Sequence, residues 1–168
     1  MTAPVPAPRH ILITGATGGI GQALAREYAA PGVRLSLTGR NPKALEDIAV
    51  QCRTAGAEVA ATALDVRDAA SLCDWMTAMD DVLPVDVVIA NAGVSNSIGP
   101  GGEAETVADV RRLFAVNAEA AAVTATTAAN GTWQVDVPNP TFPCIVAVTG
   151  GSLAPGVKLF GYAMSDTN

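Results

Sequence analysis

A chain of 168 residues accommodates one domain with a buried core, and a composition 49% apolar but only 4% aromatic builds that core from Ala, Val, Leu and Ile, as helices on a buried parallel sheet require. The formal net charge of −6, without any block of Lys or Arg, argues against nucleic acid or an anionic membrane as partner. Three widely spaced cysteines, Cys52, Cys73 and Cys144, outline neither a metal site nor a disulfide framework and point to the reducing cytoplasm.

Residues 1–9 alternate proline with small side chains and read as a flexible arm, with neither a signal sequence nor a membrane span. The run Ile11-Leu12-Ile13 is a strand that breaks at a glycine cluster, Gly15, Gly18, Gly19 and Gly21, and the composition after it is helical. Residues 33–38 alternate as a second strand, and Asn41-Pro42 opens a helix over 43–55 that Gly56 closes. Residues 58–64 form a third, weaker strand ending at Asp65-Val66, and 69–79 read as a helix.

Residues 85–90 are the clearest buried strand after the first, stopped by Asn91-Ala92-Gly93. A Gly, Ser and Pro loop over 94–102 gives way to helical pattern from Glu103 through Asn117. Between 118 and 143 the chain is atypical: first Ala and Thr with little bulk, expected to form a poorly packed helix, then a proline-rich irregular excursion. Residues 144–149 read as a fifth strand. Strand–helix pairs with crossovers predict a single α/β domain over 1–168, a doubly wound parallel sheet in three α/β/α layers.

The spacing Thr14-Gly15-x-x-x-Gly19-x-Gly21 gives each glycine a physical reason. Gly15 allows the turn, Gly19 allows a pyrophosphate to approach the backbone, and Gly21 allows the helix to pack tightly on its strand. Free amides at the helix start then meet an anion at the positive end of the dipole. Asp65 closes a strand, where it can also cap the following helix.

Together, Thr14 to Gly21 and Asn91-Ala92-Gly93 resemble the two signatures of the short-chain dehydrogenase/reductase family, over about 10–117 and again at the strand containing Ile145. The resemblance implies a Rossmann-fold oxidoreductase that moves hydride between a nicotinamide cofactor and a small carbonyl or alcohol substrate. It assigns Thr14, Gly15, Thr17, Gly19, Ile20, Gly21, Asp65, Val66, Asn91, Ala92 and Gly93 to the cofactor, with Asp65 and Val66 at the adenine. Arg40 stands where the family often holds a basic residue against the adenosine 2′-phosphate, and Gly39 where an NAD-preferring member puts an acid. The pair implies NADP, with NAD as the other choice. The resemblance implies no metal, and leaves a homo-oligomer open.

For catalysis the resemblance implies Asn117, Ser152 and Tyr162, with Ser152 preferred over Thr149 for the hydroxyl that fixes the substrate oxygen. Tyr162 exchanges a proton with that oxygen. The family's lysine four residues after the tyrosine is here Asp166, whose charge raises a phenol pKa. The family's later strands are also expected to be missing from the sheet. A nucleotide-binding pseudoenzyme, or the product of a shortened gene, is the alternative expectation.

Overall fold

A computed structural model describes residues 7–95, 106–127 and 146–149. β1 (His10–Thr14), β2 (Arg34–Gly39), β3 (Glu58–Ala63), β4 (Val87–Ala90) and β5 (Val146–Thr149) form one sheet in the order β3-β2-β1-β4-β5. The first four strands are parallel, with Ile11 beside both Leu35 and Val87 and Thr14 beside Ala90. Sequential strands therefore move outward from β1 in one direction and then restart on its other side. This places a topological switch point at the carboxyl ends of β1 and β4, where α/β sheets bind ligands.

β5 departs from the all-parallel expectation. It pairs antiparallel with β4, Val87 opposite Thr149 and Ala90 opposite Val146. An edge strand can satisfy its neighbour's backbone groups in either direction, and an antiparallel edge on a parallel sheet is a common outcome.

Helices α1 (Gly19–Tyr28), α2 (Pro42–Thr54) and α3 (Ala69–Val82) connect the strands. Alternate side chains of β1 point to opposite faces, so Ile11 and Ile13 join Leu35, Leu37, Ala25, Leu45, Ile48 and Cys52 on one side. Leu12 joins Val88, Leu72, Trp75, Met76, Val116 and Ala120 on the other. Ile11, Leu12 and Ile13 are essentially inaccessible, each contributing about 2 kcal/mol by burial. These are the three predicted layers.

After Ser95 the description resumes at Thr106, where a reciprocal capping box with Asp109 starts α4 (Val107–Phe114). That start lies beyond the expected Glu103. The helix runs on through a π-helical stretch, Ala115–Ala120, into α5 (Ala121–Thr127). Small side chains at the end of this helix do not leave it loosely packed, contrary to expectation. Val116, Ala120 and Thr124 are buried, the first two against the α3 cluster of Leu72, Trp75 and Met76. Alanine there permits close approach to large partners. The excursion expected further on lies outside the described residues, as do most of the arm and most of the 94–102 loop.

At the opposite end of the sheet, the Asp86 carboxylate accepts from the amides of Arg9 at 2.6 Å and His10 at 2.9 Å. The buried His10 ring bridges the Leu83 carbonyl at 2.6 Å and the Ser36 hydroxyl at 2.8 Å, tying the end of α3 to β1 and β2. No described helix is long and apolar enough to cross a membrane.

Candidate nucleotide site

The turn after β1 is fixed from both sides. Gly15 adopts φ +66°, a conformation that glycine takes without the steric cost of a Cβ. The Ala16 amide donates to the Thr38 carbonyl of β2 at 2.9 Å, and the Gly18 amide closes the turn on Gly15 O at 3.1 Å. α1 then begins from Gly18 in extended conformation with no side-chain cap and no acidic residue in its first turn. Its first-turn amides have no intrahelical partners, and no carboxylate from that turn neutralises the dipole's positive end. This is the electrostatic requirement of an anion cradle.

Asn91, immediately after β4, crosses the switch point to complete the turn. Its side-chain amide donates to Thr14 O at 3.1 Å and to Gly15 O at 3.0 Å, while the Ala92 amide donates to Thr14 Oγ1 at 3.1 Å. The two signatures noted in the sequence are thus one hydrogen-bonded unit. Close packing explains two glycines. A Cβ on Gly15 would lie 2.6 Å from Ala92 Cα, and one on Gly21 would lie 2.3 Å from Gly15 O and 2.7 Å from Asn91 Nδ2. Gly19 differs: a Cβ there would meet nothing within 4 Å. Its side faces open space, where a bound group has room.

The rim at the carboxyl ends of β2 and β3 holds the charged groups. Gly39 is buried beneath Thr17, whose Cγ2 and Oγ1 would lie 2.8 and 2.9 Å from a Cβ at that position. The next residue, Arg40, is exposed, and among the described residues it makes no ion pair. The Leu64 amide donates to Gly39 O at 3.1 Å, which brings the Asp65 turn beside Arg40.

Asp65 is gripped by Arg67. Nε lies 3.0 Å from each carboxylate oxygen, Nη2 2.6 Å from Oδ2, and the Arg67 backbone amide 3.0 Å from Oδ1. The guanidinium bonds hold the Asp65 pKa down at about 2, with a further contribution from the charge on Arg40. Asp65 does not cap the following helix. Asp68 does, accepting from the Ser71 amide at 3.1 Å, because the turn from Asp65 O to Asp68 N delays the helix start. The Val66 side chain turns into the α3 core, leaving its backbone at the rim.

Asn117 sits on the π-helical stretch. Its Oδ1 accepts from the Val94 amide at 2.8 Å and its Nδ2 donates to the Val94 carbonyl at 2.8 Å, pinning the segment that follows Gly93. Ordinary helix geometry is interrupted where that reach is made. Arg67 is the site residue that sequence reasoning missed; the signal was an arginine two positions after a strand-closing carboxylate. Ser152, Tyr162 and Asp166 lie outside the described residues.

The glycine cradle, the uncapped dipole end and the adjacent exposed Arg40 fit the pyrophosphate and adenosine half of a dinucleotide. The comparisons agree with that geometry. A family model described as short chain dehydrogenase matches residues 9–133. A 3-dehydrosphinganine reductase of Arabidopsis thaliana is 42% identical over 88 residues, 51% of this chain and 26% of that protein. Gluconate 5-dehydrogenase of Gluconobacter oxydans is 34% identical over 84 residues, 49% of this chain and 33% of that one. Among solved structures, a metagenomic short-chain oxidoreductase in complex with NADP superposes with TM-score 0.64 at 29% identity, covering 71% of this chain and 54% of that one. A short-chain dehydrogenase from Sphingobium yanoikuyae in complex with NADPH gives 0.62 at 30% identity, covering 71% and 46%. The chain thus spans about a third or less of these two curated relatives and about half of these solved neighbours.

Proposed function

This chain belongs to the short chain dehydrogenase family, and from that membership we propose that it is an NADP(H)-linked oxidoreductase acting on a small carbonyl or alcohol. The observation that carries the proposal is the hydrogen-bonded unit of Thr14, Gly15, Asn91 and Ala92 beside the uncapped start of α1. Thr14, Gly15, Thr17, Gly19, Ile20 and Gly21 form the phosphate side of the site. Asn91, Ala92 and Gly93 border it at the switch point, and Asp65 and Val66 line the adenine end. Arg40 would pair with the 2′-phosphate of bound NADP(H), and the packed Gly39 leaves no acid to accept from a 2′-hydroxyl.

The cofactor, when bound, supplies or accepts the hydride. The protein's share is acid–base chemistry and placement. Tyr162 exchanges the proton at the substrate oxygen, Ser152 holds that oxygen, and Asn117 positions the post-β4 segment through Val94. The chain works in a reducing cytoplasm, where the buried Cys52 thiol stays reduced.

A second reading has a specific observation behind it, the acid at Asp166 where the family places lysine. A carboxylate there disfavours the phenolate of Tyr162, so the chain binds nucleotide with little turnover. Titration with NADPH and NADH separately, followed by NADPH oxidation against a panel of ketones and aldehydes, tests both. Tighter binding of NADPH supports the site, and equal affinity removes the NADP(H) preference. Binding without turnover selects the second reading.

A further inference from the structure

The rim beside β2 and β3 carries more charge than the one group that the Arg40 assignment uses. Arg40 and Arg67 are cationic, Asp65 is anionic, and all three cluster where Leu64 N meets Gly39 O at 3.1 Å. Left alone, the Asp65 carboxylate would oppose a phosphate brought to Arg40. It is not left alone: both oxygens are occupied by Arg67, through Nε at 3.0 Å to each, Nη2 at 2.6 Å and the backbone amide at 3.0 Å. A forked guanidinium is the side chain best suited to hold a carboxylate in this way.

We infer that Arg67 is a specificity-determining residue, which neutralises Asp65 so that Arg40 remains as the net positive charge of the rim available to a 2′-phosphate. The inference rests on the NADP(H) reading above and adds to it a residue that touches neither the glycine turn nor Arg40's own position in the chain. The ionised state of Asp65 supports it. Its carboxyl is held at a pKa of about 2, so at neutral pH the negative charge is present and must be offset. Arg67 and Asp65 cancel each other, so loss of Arg67 makes the rim more negative by one charge; Asp68, which also interacts with Asp65, is common to both cases.

The full chain is titrated calorimetrically with adenosine 2′,5′-bisphosphate and with 5′-AMP, which differ in the 2′-phosphate alone and need no turnover. The wild type binds the bisphosphate more tightly. Arg67→Gln lowers that preference about five- to tenfold, as loss of one charge near a dianion at intermediate dielectric predicts, while 5′-AMP affinity moves by less than about twofold. The loss shrinks at high salt.

Adding Asp65→Asn to Arg67→Gln restores the preference, because both charges are then gone. A purely structural role for the pair predicts the reverse, a double variant no better than the single one. That result, or a preference unchanged in Arg67→Gln, would overturn the assignment of Arg67. A wild type that binds both nucleotides equally would instead overturn the NADP(H) reading underneath it. Circular-dichroism melting of each variant confirms that the titrated protein is folded.

Discussion

Asn91 and Thr14, 77 positions apart, are held together by two bonds that Thr14 accepts: the Asn91 side chain donates to the Thr14 carbonyl, and the amide of the next residue, Ala92, donates to the Thr14 hydroxyl. The carboxyl ends of β1 and β4 are thereby held in one geometry before any ligand arrives. Preorganisation of this kind lowers the ordering cost of binding.

Asn91→Ala removes two donors to the carbonyls of Thr14 and Gly15. The expected loss of stability is about 1–2 kcal/mol by urea denaturation, with a larger proportional loss in NADPH affinity because the cradle itself is loosened. An unchanged nucleotide affinity would show that the turn holds its shape without Asn91.

Gly21 and Gly19 are two residues apart and should respond oppositely to alanine. At Gly21 the new Cβ would lie 2.3 Å from Gly15 O, so Gly21→Ala costs about 1–3 kcal/mol or more and abolishes binding. At Gly19 nothing lies within 4 Å, so Gly19→Ala leaves the melting temperature unchanged or raised while weakening nucleotide binding. Equal melting temperatures for the two variants would contradict the packing described.

Asn117→Ala frees both backbone groups of Val94, each held at 2.8 Å. Amide exchange at Val94 and its neighbours should accelerate while β1 and β2 keep their protection, a local opening rather than global unfolding. Protection lost uniformly across the sheet would assign Asn117 a different role.

Acid should act in two stages. Burial holds the His10 pKa below its ordinary value, helped by Arg34 and opposed by the Leu83 carbonyl, Asp86 and Asp80. Because the carbonyl of Leu83 can only accept, Nδ1 carries the proton and Nε2 accepts from the Ser36 hydroxyl. The unfolded chain therefore takes up this proton first as pH falls. The contribution of neutral His10 is full above about pH 6.5 and declines below it. Asp65, depressed to about 2, works in a lower window: its contribution fades as pH drops from about 4 toward 2. Urea midpoints should fall from about pH 7 to pH 5 in the wild type and less steeply in His10→Gln. A midpoint independent of pH across that range would refute the first stage.

Much of the nucleotide half was legible because its signals are local. Asn41 followed by Pro42 announces a helix start, and Asn41 Oδ1 indeed accepts from the amides of Lys43 and Ala44, both at 3.1 Å. The alternation of Ile11, Leu12 and Ile13 between two cores follows from the period of a strand. Other features depended on partners distant in sequence. Ala120 and Thr124 have too little bulk to announce a packed helix, and their burial is decided by α3, whose Trp75 and Met76 share a core cluster with Ala120. The direction of β5 is not written in its apolar run, which reads the same either way. Arg67 escaped notice because its grip on Asp65 requires a turn that the sequence pattern does not specify.

Thr17 seated over Gly39 ties two positions into one evolutionary unit. An acidic residue introduced at 39 must displace a stiff, β-branched neighbour whose atoms would stand 2.8 and 2.9 Å from its Cβ. Shrinking Thr17 first clears that space and leaves the later change free of the clash. The order of substitutions therefore matters: one path to an altered nucleotide preference passes through a strained intermediate and the other does not. The effect of a change at 39 therefore depends on the residue at 17, whereas Thr17 itself can shrink without strain.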